Sequence, residues 1–506
     1  MSIFAFHSGR EIPPFHPPGP PDARRVSSIF LKEIFSGGGD FQLRAVWPGG
    51  ERVPNIYLCW IDGLTDSSQI AEDVLRPLTE ARRLAGANGD GERFRLLAHG
   101  AVFACAMQER QTVGETADDL LHGCCAVVFD RLGSALSFEV KSAAVRSVGA
   151  PTVEKSVKGG KEAFVETLRT NTALVRRRLR TPALRVEQRA VGRRSGTDLA
   201  ILSLDGLADD TIIIELRRRL DALDIDGLTA AGQLEQYLTD APASPFPQLL
   251  HTERPDKFAE ELLNGRVGLL ADGLPLGFLL PAALPAFLQV AEDKNQHFLI
   301  ASGLRLLRWA ALALSLIFPA LFVAVAMYHQ EMIPTRLLQS MIAAKQDVPF
   351  SVAVEVLTML AAFELLMEAG IRLPDPVGDT VSIIGALIVG QSAVEARIVS
   401  PIAVIVVAAA AICGFLMPSR DLGAALRLGR LGLTLLAVFL GLFGPALGLC
   451  LLLWHLAGLE SFGLPYLSPL SEGGFLGGLR VLLRPPLPKD KLRPDGLSPE
   501  DRRNQK

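Results

Sequence analysis

The spacing of hydrophobic positions changes near residue 300. Before it, apolar residues come in short runs at strand or helix spacing; after it, they fuse into long blocks nearly free of charge. In the first part, 28–35 suits a helix stopped by Gly37, Gly38 and Gly39, and 41–47 and 55–61 read as strands about a Pro-Gly-Gly turn. Ile70, Val74, Leu75 and Leu78 then recur at helical spacing over 67–82. One pattern occurs twice. Cys59-Trp60-Ile61-Asp62-Gly63-Leu64-Thr65-Asp66 and Leu202-Ser203-Leu204-Asp205-Gly206-Leu207-Ala208-Asp209 each read as a strand, an Asp-Gly turn and an Asp that caps the next helix. The repeat predicts two similar α/β subdomains, 28–150 and 165–285, the second lying within 151–290 behind a basic helix at 161–179.

The second part reads as an α-helical polytopic membrane domain, 291–470, with spans at about 309–328, 349–367, 377–396, 402–417 and 431–457. The first span holds 20 uncharged residues, which as a helix reach roughly 30 Å, the thickness of a bilayer's hydrocarbon core. Arg305 and Arg308 before it, and Arg420, Arg427 and Arg430 in the expected loop after the fourth, place those flanks and the N-terminal region in the cytoplasm. Pro319 sits mid-span as a kink or gating position. The block 431–457 is broken at Gly444-Pro445, so it is either a fifth span or a re-entrant pair. Residues 1–27 are a Pro-rich disordered arm, and 471–506 a basic cytoplasmic tail.

Three acids interrupt the second span. A central carboxylate costs about 2.5–3.5 kcal/mol to insert, against about 0.3–0.6 returned per Leu, Val or Phe. The segment therefore needs a polar or protein-covered side. At 100° per residue Ser351, Glu355, Thr358 and Ala362 share one narrow stripe, while Glu364 and Glu368 fall nearly opposite, towards Arg372. That geometry makes Glu355 the intramembrane acid and its stripe the candidate pore lining. In the third span Ser382, Gly385 and Ser392 belong to a small-residue packing stripe, and Gln391 and Glu395 stand one turn apart.

Charge and cysteine content add limits. The net charge of -3 averages a charged half and an apolar half, so it points to no nucleic acid. The basic helix carries Arg169, Arg176, Arg177, Arg178 and Arg180 without interleaved aromatics, which favours pairing with acidic neighbours over a nucleic-acid platform. Six scattered cysteines show neither zinc nor disulfide spacing, and no signal peptide opens the chain. No phosphate loop, dinucleotide fingerprint, HExxH or GxSxG is present, so the residues predict no catalytic site, no metal and no cofactor.

Several strings resemble a known family: Arg169-Thr170-Asn171-Thr172-Ala173-Leu174-Val175-Arg176-Arg177-Arg178, Ser244-Pro245-Phe246-Pro247-Gln248-Leu249, His329-Gln330-Glu331-Met332-Ile333-Pro334-Thr335, Glu368-Ala369-Gly370-Ile371-Arg372-Leu373-Pro374, Ser382-Ile383-Ile384-Gly385-Ala386-Leu387 and Gly463-Leu464-Pro465-Tyr466-Leu467-Ser468-Pro469. Together they are similar to the A subunit of GerA-type spore germinant receptors. Two stretches depart from that pattern. Gly159-Gly160-Lys161-Glu162-Ala163-Phe164 stands for the family's Gly-Pro-Arg-Glu-Gly-Phe, and Glu292-Asp293-Lys294-Asn295 for Glu-Asp-Tyr-Tyr. The resemblance implies a subunit in the spore inner membrane, working with a permease-like B subunit and a lipoprotein C subunit, and a homo-oligomer forming a nutrient-gated ion channel. A secondary transporter, suggested by the broken segments, or a membrane-attached signalling scaffold is the competing class.

Overall fold

The computed structural model describes residues 22–47, 56–80, most of 84–142 and of 149–372, 390–470 and parts of 478–497. Residues 1–21 of the predicted arm and the end of the tail lie outside those residues, as does most of the third predicted span. The last part of the arm is not disordered: Arg25 bridges to Thr112, and Val26, 1% exposed, donates to Gln111 O and packs in the core of the first sheet.

The sequence repeat is a repeat of topology. The first sheet contains β1 (Phe41–Val46), β2 (Ile56–Ile61), β3 (Met107–Arg110), β4 (Cys124–Phe129) and β5 (Ser134–Glu139), in the order β1-β2-β4-β5-β3. The second contains β6 (Leu184–Val191), β7 (Thr197–Leu204), β8 (Leu250–Thr252), β9 (Val267–Ala271) and β10 (Gly277–Leu280), in the order β6-β7-β9-β10-β8. Counted from the start of each sheet, the two orders are the same, and every pairing is antiparallel. In each sheet the Asp-Gly turn follows the second strand. The capping aspartates do as expected: Asp66 accepts from the Ser68 amide at 2.9 Å and Asp209 from the Thr211 amide at 2.8 Å.

Both faces of each sheet are covered, which is why β4 and β9 read as nearly continuous apolar runs. Helices α1 (Ser28–Ile34) and α2 (Val113–Leu121) cover one face of the first sheet, and the run from Ser67 to Glu80 covers the other. The basic helix, α3 (Leu168–Arg178), lies between the sheets: Ala173 joins the core of the first, Leu174 and Val175 the core of the second. It is shorter than predicted. Residues 161–167 are not helical, because the Phe164 amide donates to Glu253 O and the Asn171 side chain bonds both the N–H and the C=O of Val165. Helix α4 (Asp210–Asp221) packs on one face of the second sheet, and α5 (Pro255–Leu263) on the other.

That last face has a second occupant. One continuous core runs from Phe164, Phe246 and Phe258 through Leu284 and Phe287 into the helical half, ending at Leu456, Leu459 and Tyr466. Helix α6 (Phe298–Tyr328) begins beside the second sheet and is longer than the predicted span by its first three turns. Helix α7 (Thr335–Lys345) crosses the far end, α8 (Val352–Arg372) returns, and α9 (Pro401–Phe415) also runs back from the far end. Helix α10 (Arg420–Leu440) then rises from the sheet to Tyr328, and α11 (Phe443–Ala457) descends to it. The block 431–457 is therefore divided between two helices. The break falls at Gly441, whose φ of 58° suits a residue without a Cβ, and Pro445 sits in the first turn of α11, where no amide bond is lost. Arg420, Arg427 and Arg430, expected in a loop, all lie on α10.

Among the described residues, α6 and α10 are long and apolar enough to cross a membrane; α9 and α11 are shorter apolar helices.

Candidate functional site

The acids of α8 fix the chemistry of the helical half. Glu355 stands in the first turn of α8, at the far end of the bundle, and not at mid-depth. Its side chain is buried although its stripe neighbours Ser351 and Thr358 are exposed and Ala362 is half-buried. The cause is α9. The Ser400 amide, at the N-cap of α9, donates to Glu355 Oε2 at 2.7 Å, so the carboxylate meets the positive end of a helix dipole. Lys345, the last residue of α7, brings its Nζ to 3.6 Å from Oε1. One carboxylate thus ties together the far ends of α7, α8 and α9, and its basic partner belongs to the same chain.

The acid near the middle of α8 is Glu364. It lies 3.1 Å from Arg430 and 3.2 Å from Arg427, both on α10. Arg430 is only 2% exposed, so truncating Glu364 would leave a guanidinium buried without its carboxylate, a change that costs about 3–5 kcal/mol. The sequence set Glu364 only on the side of α8 that leads towards Arg372; the arginine that holds it is 66 positions away.

Other predicted positions are less engaged. Pro319 is buried inside α6. Gln391, Ser392 and Glu395 are exposed, and Ser382 and Gly385 lie outside the described residues. The small-residue contact that is visible was missed: a Cβ on Gly444 would come within 2.2 Å of Leu436 O, and one on Gly448 within 2.4 Å of a Leu433 methyl, so α10 and α11 touch across a Gly-x-x-x-Gly face. That spacing, Gly444 to Gly448, is readable in the sequence.

A second cluster joins the sheets to the helices. Asp293 is 1% exposed and receives two bonds of 2.8 Å from Arg308, with Arg305 at 3.4 Å. Burial pushes the Asp293 carboxyl up, but the Arg308 hydrogen bonds and the charges of Arg308 and Arg305 outweigh it and hold the acid below its ordinary range. The arginines read as a free positive flank are thus tied down at the base of α6. Arg484, from the C-terminal segment, donates to the carbonyls of Asp293, Lys294 and Gln296 in the same linker. Beyond α11, a short hairpin returns to the second sheet. Its Ser461 hydroxyl donates to Gln248 O at 2.7 Å and accepts from the Ala282 amide, while Tyr466 is fully buried against Phe246 and Phe287. Two of the recognisable strings, around Phe246 and Tyr466, are therefore the two sides of one joint.

The arginines of α3 have structural partners. Arg176 makes a bidentate pair with Asp40, at 2.7 and 2.9 Å, with both side chains buried. Arg169 reaches Asp62 at 2.5 Å and Ser67 at 2.7 Å, and Arg178 reaches Glu162 at 2.8 Å. The helix bolts the first sheet to the second.

Comparison with known proteins covers the same extent. The family model described as Bacillus/Clostridium GerA spore germination protein matches residues 30–496. The chain belongs to the GerA family. Among its relatives, spore germination protein KA of Bacillus subtilis (strain 168) is 36% identical over 93% of this chain and 86% of its own length. Spore germination protein B1 of the same organism is 34% identical, over 92% and 95%. The N-terminal domain of the A subunit of the Bacillus megaterium spore germinant receptor GerK3 is 27% identical, with a TM-score of 0.41, over 52% of this GerA-family chain and 97% of that domain.

Proposed function

We propose that this chain is the A-type membrane subunit of a nutrient receptor that triggers spore germination. The sheets lie on the cytoplasmic side of the spore inner membrane, and the chain works with a permease-like B subunit and a lipoprotein C subunit. Several copies associate into a ring, and α8 lines a cation pathway through Ser351, Glu355, Thr358 and Ala362. The observation that supports this reading is the outer face of α8: Ser351 and Thr358 stay exposed there, beside Val354 and Leu365, on a helix that otherwise packs on α6, α9 and α10. A polar stripe that faced lipid would be costly, whereas repeated around a ring it forms a wet wall. Glu355, at the mouth of that wall, supplies negative charge that is shared with Lys345.

Ion flux from vesicles holding the purified, assembled chain tests the proposal. Glu355→Gln leaves Lys345 uncompensated beside the pathway and is expected to lower cation conductance several-fold with assembly intact. Glu368→Gln, near the other end of α8, is expected to change it little. An assembled Glu355→Gln variant with unaltered conductance and selectivity would overturn the pore reading, and substrate counterflow that saturates would favour a transporter.

A further inference from the structure

Helix α7 joins the ends of α6 and α8 that lie farthest from the sheets, and none of its 11 residues is buried. Helices of that length are marginal in water unless one face is packed. The face α7 packs is narrow. Leu338, Met341, Ala344 and Lys345 are its half-buried positions, Met341 meeting the core and Lys345 reaching Glu355. Leu337 and Ile342 lie towards the two sides of that face, about 140° apart at 100° per residue, and are 51% and 60% exposed. Met332 just before the helix and Phe350 just after it are 63% and 45% exposed. The opposite side is polar, with Thr335, Gln339, Arg336 and Ser340 all exposed.

The apolar arc of α7 is thus wider than the bundle fills, and it overhangs on both sides. A protein partner docking from one direction covers one overhang; a fluid layer surrounding the bundle covers both. The exposed apolar surface of the helices, including Leu321 on α6 and Phe439 on α10, also extends towards this end of the bundle. We propose that α7 is an interfacial helix lying in the lipid headgroup layer of the leaflet away from the sheets. Leu337 and Ile342 enter the acyl boundary on either side, the Thr335, Gln339 and Ser340 face meets water, and Arg336 extends to lipid phosphates. This rests on the membrane reading above. Through Lys345 and Glu355 the helix would make the α8–α9 junction sensitive to that leaflet.

The test uses the full chain in vesicles of phosphatidylcholine and phosphatidylglycerol, with and without brominated acyl chains. Leu337→Trp and Ile342→Trp are each expected to add fluorescence that brominated lipid quenches at least two-fold, whereas Gln339→Trp should be quenched by aqueous iodide instead. Native Trp454, 77% exposed on α11, is the internal control. If Trp454 is quenched by brominated lipid and neither α7 tryptophan is, the interfacial placement is overturned while the membrane reading stands. Absence of all lipid quenching overturns the membrane reading itself. Protection of the α7 tryptophans from both quenchers would mean that a protein subunit covers them, which also overturns the proposal.

Discussion

The two sheets share one strand order and differ in what holds them. The second is continuous with the helical half: its core runs on into α6, α8, α9 and α10, and the Ser461–Tyr466 hairpin is set into it. The first meets the rest of the molecule mainly through polar bolts, with Ala173 of α3 as an apolar contact in its core. Gly39 donates to Val186 O at 2.7 Å, Arg185 to Ser36 O at 2.7 Å, and α3 supplies Arg176 to Asp40 and Arg169 to Asp62. Apolar continuity couples two parts over a broad area and tolerates little movement, whereas directed ion pairs define one relative position and release it as a unit. The duplication therefore yields a fixed sheet and a separable one.

The largest test of that contrast is Arg176→Ala. It leaves the Asp40 carboxylate in a site only 3% exposed, without its bidentate partner, and is expected to cost about 3–5 kcal/mol. Native-state hydrogen exchange of the full chain should show the loss in β1, β2 and α3, while β9 and β10 keep their protection. Equal loss in both sheets would show that they open as one unit and would remove the distinction.

How much of this was legible in the sequence follows from the range of each interaction. The Asp-Gly repeats and their capping aspartates are local, so they gave the duplication and the second strand of each sheet. The basic flanks of the helical half were legible as residues but not as places: Arg305 and Arg308 lie in α6, and Arg427 and Arg430 belong to α10. Long-range pairs left no local mark. Arg176 looked like one of a run of surface arginines because Asp40 is 136 positions away, and Glu364 had no visible partner because Arg430 is 66 positions away. The basic helix was drawn seven residues too long at its start because Lys161, Glu162 and Ala163 have good helix propensity, while the hydrogen bonds that hold that segment extended come from Glu253 and Asn171. Apolar residues precede and follow Glu355, so the sequence did not show that it stands in the first turn of α8, where the Ser400 amide meets it.

A second, smaller effect separates the sheets by pH. Glu235, on the helix Ala231–Leu238 beside the second sheet, is pushed up to about 7 from an ordinary 4.5 by burial and then by the nearby Asp421 carboxylate at the start of α10. The folded state therefore binds a proton there that the unfolded state has released. Its contribution is fully present below about pH 4.5 and is lost as pH rises through 7. His251 Nδ1 lies 3.3 Å from the same Asp421 carboxylate. Hydrogen exchange around Leu234 and Leu238 should be faster at pH 8 than at pH 6 after correction for intrinsic rates, and Glu235→Gln should flatten that difference. A wild-type protein with no such difference would remove Glu235 from the account. The first sheet should show no matching change.

The smallest expected effect is at the outer bolt. Arg169 and Asp62 are 48% and 33% exposed, so water competes for both ends of their 2.5 Å contact, and removing it costs about 0.2–1 kcal/mol. Arg169→Ala also loses the bond to Ser67 at the start of the next helix, but that hydroxyl is exposed and finds water. The backbone beneath is a different matter. Gly63, with φ of 85°, places its Cα where a Cβ would come within 2.9 Å of Arg169 O, so the turn docks on α3 by close approach as well as by charge. If the first sheet is held mainly by that approach and by Arg176, Arg169→Ala should leave the exchange protection of β2 within error of wild type in moderate salt, while Gly63→Ala should reduce it measurably. An Arg169→Ala loss as large as that of Arg176→Ala would show the bolts acting as one network, and the attachment would then be electrostatic across its whole width.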